Sequence, residues 1–467
     1  MTAQTILPAN SAASGGFDVA NSVRMNRGST DHLRRTNNTG ETSNKIGTYS
    51  GWLKRSTVAL DGMMFEGKDL DANNYTQIYF QATGKLTVYG SGTMDIVSTA
   101  LFRDPTAWYH VCVAIDTTQG TAANRVKIYV NGVQVTSLTN GNGDGVEYPD
   151  QNDVIYFAVN GDQQAIGIRE DGALLWNGYF SEVVYIDGTQ LTPTSFGEFD
   201  EDSGIWKPIK VSGLTFGNNG CYLDFKDSST LGNVVAGRTA VDFTVTNLTA
   251  VDQSTDTCTN NFATLNPLDV NPSSAGDVFT EGNLKLVTNN NSNAAGSRST
   301  IAVSSGKWYA EVKYTSATAW NGVAAMDVNF HTDSMGAATI SWYQGRTLYV
   351  DGTNTANWGS VVTAGDIVGI ALDMDNNRVT ISQGGQWWDT DAFDAAAPTT
   401  YQALTSGYDT WGFMCRSGSA ASTSEWNFGA PMFTGTDEAD GDGFGSFEYA
   451  VPSGYFALCS KNLAEYG

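Results

Sequence analysis

Between two alternating apolar runs, VKIYV (126–130) and VQV (133–135), stand only Asn131 and Gly132. A two-residue connection favours a type I′ turn, which needs φ > 0 at both positions, and Asn-Gly meets that need. The turn pairs Val130 with Val133 and Ile128 with Val135, so the apolar face is expected to continue across the hairpin. Val126, Ile128 and Val130 fall on that face, and Arg125, Lys127 and Tyr129 fall opposite. Just upstream, WYHVCVAID (108–116) is apolar on both faces, as suits a strand covered on both sides. The layout returns in GDIVGIALDMDNNRVTISQGGQWW (365–388). There Val368, Ile370 and Leu372 alternate, Asp375-Asn376-Asn377 turns, Val379 and Ile381 return, and Gln383-Gly384-Gly385 turns again. Short strands every ~8–12 residues, each closed by a turn signal, predict antiparallel sandwiches.

A chain of 467 residues is long enough for two or three domains, each with its own core. No apolar run approaches the ~20 residues of a membrane span, so no membrane insertion is expected. The opening MTAQTILPANSAASGG has no basic start leading into an apolar stretch, and it reads as an arm and not as a secretory leader. The net charge of −24, from 49 acidic against 25 basic residues, repels phosphate backbones and anionic lipid. Nucleic acid is therefore excluded as a partner. Cys112, Cys221, Cys258, Cys415 and Cys459 are odd in number and contain no CxxC, which predicts neither a zinc site nor a disulfide framework. They are expected as small apolar fillers in a chain made in a reducing cytoplasm.

Three segments in order, GKWYAEVKY (306–314), GDIVGIALDMDNNRVTISQGG (365–385) and EWNFG (425–429), resemble the SPRY domain, a bent β-sandwich used in protein recognition. NSVRMNRGSTDHLRRT, YSGWLKRS, WYHVCVAID, VKIYVNGVQV and NGYFSEVVYIDGTQLTPTSF resemble the concanavalin A-like (laminin-G-like) jelly roll. GNNGCYLDFKDSSTLGN (217–233), the Thr/Asn-rich stretch 243–269 and VPSGYFALCSKNL (451–463) resemble segments of structural proteins of marine tailed bacteriophages. Together these imply an all-β chain of two tandem antiparallel β-sandwiches with few helices. The expected order is an N-terminal arm (1–16), a jelly roll (17–200), a connector with a returning strand (201–277), a SPRY-like sandwich (278–433) and a C-terminal extension (434–467). The resemblance further implies a non-enzymatic adhesion protein on the virion surface, made in the host cytoplasm. It would act as a tail fibre or receptor-binding appendage contacting host surface glycan, or alternatively as a capsid decoration or head fibre on the shell. Other virion proteins and further copies of the chain are the implied partners.

The jelly-roll resemblance also admits a glycan depolymerase, whose family carries three carboxylates at Glu-x-Asp-x-x-Glu. The nearest approach is Glu198-Phe199-Asp200-Glu201-Asp202-Ser203, with Ser203 in the third carboxylate's place, so no catalytic pair is expected. No G-x-S-x-G, HExxH or P-loop occurs. His110 has no carboxylate or second histidine at an orienting spacing and reads as a strand residue hydrogen-bonded near a sheet edge. Asn140, Asn142 and Asp144, followed by Gly145, place oxygens at alternate positions and are candidate calcium ligands, although Gln151 fills the twelfth place. Asp373, Asp375 and Asn376, and then Asp440 and Asp442, are weaker oxygen clusters. For ligand or partner contact the candidates are Trp176 and Asn177, which precede a strand, and Trp358, Trp387, Trp388 and Trp411 at turns or strand ends. Adjacent Trp387 and Trp388 must face opposite sides of a strand, so one ring is expected at a surface.

Overall fold

The computed structural model describes residues 16–70, 73–91, 94–237, 241–271, 276–288, 295–315, 318–329, 331, 336–417 and 421–467. The expected N-terminal arm thus lies outside the described residues except for Gly16. The chain divides after Thr259 into two compact units. Both are built of β-sheets, and the single α-helix among the described residues is Ser460–Tyr466.

In the first unit one sheet runs Val133–Gln134, Val126–Val130, Trp108–Asp116, Ile46–Arg55, Gly178–Asp187, Ser22–Met25 and Gln253–Ser254, with Cys221–Leu223 also paired to Gly178–Asp187. The facing sheet runs Leu138–Thr139, Asp95–Ser98, Leu86–Gly90, Tyr75–Phe80, Gly62–Lys68, Gln163–Ile166, His32–Thr36 and Thr244–Thr246. Alternation puts Leu33, Phe65, Ile78, Val88, Val111 and Phe180 into one core. Within residues 201–277, read from sequence as a connector with a returning strand, Cys221–Leu223, Thr244–Thr246 and Gln253–Ser254 each pair into one of these two sheets, so both sheets receive strands from it.

The Asn131-Gly132 turn forms with φ of 48° and 77° and pairs Val130 with Val133. Gly132 is required twice over, since a Cβ there would meet the Trp206 ring at 2.3 Å. The apolar face continues only in part: Val135 bonds to Ile128 at 2.8 Å and packs with Val130 against the core, while Val133 lies on the edge strand and is 60% exposed. His110 is also not at an edge. Its strand is flanked on both sides, and the ring is fully buried with Nε2 2.9 Å from Ser50 Oγ, under the Trp206 ring at 5.7 Å.

The second unit has one long sheet, ordered Val278–Thr280, Lys285–Thr288, Ser422–Asn427, Lys307–Tyr314, Ile367–Asp373, Arg378–Gln383, Gln386–Trp388 and Phe393–Ala395. Its facing sheet is Gly296–Arg298, Trp411–Ser417, Ala319–Ala325, Thr339–Tyr343, Thr347–Val350 and Thr353–Asn357. Trp308, Val312, Trp342, Ile370, Phe413 and Trp426 share the core of this unit. Among the described residues the departure from an antiparallel pattern is Phe456–Ala457, which lies parallel to Lys307–Tyr314.

That short strand belongs to the C-terminal extension, which covers the outer face of the long sheet. Phe447, Tyr455, Ala457 and Cys459 pack there on Tyr309, Ala371 and Trp387. Glu311 pins the layer. Its carboxylate accepts the backbone N–H groups of Glu448 (2.8 Å) and Tyr449 (2.9 Å), the Tyr309 hydroxyl (3.1 Å) and the Asn427 amide (3.3 Å). The extension corrects the reading of Trp387 and Trp388. The two rings do face opposite ways, but both faces are covered: Trp388 enters the main core and Trp387 the second layer.

Candidate functional site

The outer face of the Tyr75–Phe80 strand carries a row of tyrosines and polar side chains beside a cavity. Thr76, Ile78 and Phe80 are buried, while Tyr75 and Tyr79 alternate with them and stay half-exposed. Gln77 lies between Tyr75 and Tyr79 on this face and is opposite both Tyr89 and Glu66 in register. Tyr75 and Tyr89 stack with centroids 6.0 Å apart. With Arg169 and Glu66 these side chains line a cavity of about 280 Å³. That is near the lower end of the ~300–1,000 Å³ typical of ligand pockets. A second cavity of about 300 Å³, lined by Tyr75, Ser91 and residues 149–150 and 152–156, adjoins it through Tyr75.

The polar groups of the first cavity are held in place. Glu66 accepts from Gln77 Nε2 and from the Glu170 backbone N–H, both at 2.6 Å, which ties the 169–172 turn to the sheet. Burial pushes the Glu66 carboxyl up to about 7. Arg169 forks onto Asp171 at 2.9 and 2.7 Å, and that hydrogen bonding holds the Asp171 carboxyl below its usual range.

None of the ligand-contact residues expected from sequence lies on this surface. Trp176 is 1% exposed, with its ring 4.6 Å from Phe180. Asn177 is also buried and donates to Thr57 Oγ1. The crevice beside both has a volume of about 10 Å³, room for no more than a water. Trp358, Trp387, Trp388 and Trp411 are each at most 6% exposed. The five tryptophans are core residues and Asn177 is buried beside them, because strand ends are covered here by loops and by the C-terminal layer.

The calcium reading also yields. Asn140 Oδ1 accepts from the backbone N–H groups of Asn142, Gly143 and Asp144, and its Nδ2 donates to Asp144 (2.6 Å) and Glu147 (2.9 Å). The Asn140 amide thus fills the place between carboxylates that a cation would take, and the residues do not fit a metal. Among the described residues no cluster of three His, Cys, Asp or Glu side chains is suited to one. Asp373 is likewise occupied by Asn376 and Arg378, and Asp440 by the Phe444, Gly445 and Ala457 N–H groups. In the acidic loop, the backbone and hydroxyl of Ser203 and then Lys207 hold Asp200 down to about 2. Lys207 contacts Glu198 as well, at 3.5 Å.

A further buried carboxyl marks strain in the first unit. Glu182 sits at a bulge between Ser181 and Val184 with φ of 49°. Its Oε2 accepts from the Tyr222 hydroxyl at 2.6 Å, its Oε1 has no partner, and burial raises it to about 7. A carboxyl raised in the folded state lends stability that is complete below the unfolded value and lost as pH rises through about 7. The first unit should therefore lose on the order of 1–3 kcal/mol through Glu182 between about pH 5 and about pH 8. Repulsion in a chain of net charge −24 acts in the same direction. The part due to Glu182 is read from melts of wild type against Glu182→Gln, whose pH slope should be shallower; equal slopes would count against it.

Residues 27–194 match the family described as Laminin_G_3, concanavalin A-like lectin/glucanases superfamily. No curated protein matches the chain. Among solved structures the chain is similar to the SPRY domain of human HERC1, at 13% identity over 35% of this chain and 96% of that one, with a TM-score of 0.28. A heptameric SAP-like pentraxin from Limulus polyphemus is similar at 19% identity, over 38% and 80%, with a TM-score of 0.27. A Bacteroides ovatus protein described as carbohydrate-binding is similar at 14% identity, over 50% and 60%, with a TM-score of 0.32. Likenesses at such scores carry no argument about function.

Proposed function

We propose that the chain is a non-enzymatic adhesion protein whose first unit holds a glycan on the outer face of the Tyr75–Phe80 sheet. The observation that carries this reading is the row of half-buried Tyr75, Tyr79 and Tyr89 beside the solvent-accessible Arg169–Asp171 pair, whose turn the buried Glu66 and Gln77 hold in place. Pyranose C–H faces stack on such rings, while hydroxyls pair with planar amide, carboxylate and guanidinium groups. All of these residues fall inside the stretch that matches the concanavalin A-like family. Two adjoining cavities sharing Tyr75 suit a chain of more than one sugar.

Capture on immobilised glycans tests it. Tyr75→Ala and Tyr89→Ala should each weaken capture about tenfold or more, roughly 1.4 kcal/mol. Their melting should stay close to wild type, as for surface substitutions within about 0.5 kcal/mol. No capture by wild type, or full capture by both variants, overturns the reading.

Hydrolysis is the competing reading, because Glu66 is raised and Asp171 lowered within one cavity, a pattern that acid–base pairs use. Against it, Glu66 is 1% exposed and both its oxygens are engaged. Release of reducing ends from a captured glycan would favour the enzyme.

The setting we propose is the virion surface of a tailed phage, as a tail fibre or short appendage assembled from several copies, with shell decoration as the alternative. Its support is the resemblance of the segments 217–233, 243–269 and 451–463. Finding the chain in the tail, in the shell or in neither, in purified particles, decides between them.

A further inference from the structure

We propose that Lys54 and Asp256 condense spontaneously into an internal amide bond that ties the end of the first unit to its own sheet. The two groups lie 202 residues apart in sequence, yet Lys54 Nζ is 2.8 Å from Asp256 Oδ2. Their side chains are 1% and 2% exposed. This is a pair held at bonding approach in a site that excludes water.

The surroundings suit the reaction. In register, Lys54 lies between Trp108 on one neighbouring strand and Tyr179 on the other. Its Nζ is 5.5 Å from the centre of the Tyr179 ring. Trp52, Trp206, Val19 and Cys258 complete the apolar wall. A desolvated ion pair is costly in such a wall, and a neutral amide is not. Asp256 is fixed as well: its N–H donates to Ser254 Oγ at 3.1 Å, and its carbonyl accepts from Ser22 Oγ at 2.6 Å.

The two carboxylate oxygens have different partners, and this gives the step its direction. Trp108 Nε1 donates to Oδ1 at 3.1 Å, while Oδ2 faces the lysine. The ammonium passes a proton to Oδ2, and the freed Nζ lone pair attacks Cγ. Trp108 then stabilises the negative charge that develops on Oδ1. Nζ–Cγ forms and Cγ–Oδ2 breaks. Oδ2 departs as one water carrying two of the three ammonium protons, and the third stays on the amide nitrogen. No electrons are exchanged and no co-reactant is consumed.

The intact mass of the folded full-length chain, measured after denaturation, tests the proposal. Wild type should be lighter than its sequence by one water, and digestion should give a branched peptide joining Lys54 to Asp256. Lys54→Met should recover the full mass, and Asp256→Asn should lose ammonia to give the same linkage. A wild-type protein that melts cooperatively yet keeps its full mass overturns the proposal. So does a water loss that maps to an Asp-Gly step such as Asp144-Gly145 or Asp440-Gly441, where a cyclic imide forms without any lysine.

Discussion

Trp388→Ala is expected to destabilise the second unit by about 3–5 kcal/mol, the usual cost of emptying a buried aromatic site. The ring stacks on Trp358 at 5.5 Å and 7° and meets the edge of Phe393 at 5.2 Å. It is 5% exposed, and removing it leaves Trp358 without its stacking partner. In a unit of about 200 residues this is a fall of roughly 10 °C in its melting transition, with the first unit's transition unmoved. Calorimetry reads both. Glycan capture should be unaffected, since Tyr75, Tyr79 and Tyr89 lie in the other unit. Unchanged stability with lost capture would return Trp388 to a surface role.

Glu311→Ala should cost on the order of 3–5 kcal/mol, through loss of the acceptor that the C-terminal layer shares with the sheet. The substitution strands two backbone N–H groups, a tyrosine hydroxyl and an asparagine amide in a buried place, and each unmet donor costs ~1–3 kcal/mol before relaxation. The layer should loosen before the sheet does. Hydrogen exchange at Glu448 and Tyr449, whose N–H groups Glu311 accepts, should speed up more than exchange at Ile370 or Val379. Equal acceleration everywhere would mean that Glu311 serves global stability and not the attachment of this layer. Glu311→Gln keeps one acceptor oxygen for one backbone N–H but turns its NH₂ toward the other, with the Tyr309 hydroxyl able to turn and accept on the Tyr449 side, so it should fall between wild type and alanine.

The hairpins were legible because backbone chemistry is local. Asn131-Gly132 and Gly384-Gly385 take the positive φ that their spacing demanded. The coverage of each face was not legible. Alternation assigns Trp387 and Trp388 to opposite sides of a strand, but it cannot say that residues 444–459 return to cover the outer one. The same limit applies to Val133, whose alternation is sound and whose edge position is a matter of topology. The tyrosine face did have a sequence signal. In YTQIYF the residues Tyr75, Gln77 and Tyr79 alternate with Thr76, Ile78 and Phe80, an aromatic-polar row backed by a buried one. The tryptophans at turns and strand ends give a louder signal than this row, yet the largest rings are the ones a core takes first. Spacing also could not distinguish a ligating oxygen from Asn140, whose amide caps its own loop.

The order of synthesis gives the C-terminal layer a further meaning. Every strand of the long sheet in the second unit except Phe456–Ala457 leaves the ribosome before the residues that cover its outer face. Until 444–459 emerge, Tyr309, Ala371 and Trp387 present an apolar surface to whatever is nearby, and Glu311 sits under no lid. A nascent chain paused before that point would be sticky, as partly folded β-proteins are. A stop codon or ribosomal stall shortly upstream of 444 should therefore yield aggregated product, where one inside the exposed 353–357 edge would remove far more structure for the same outcome.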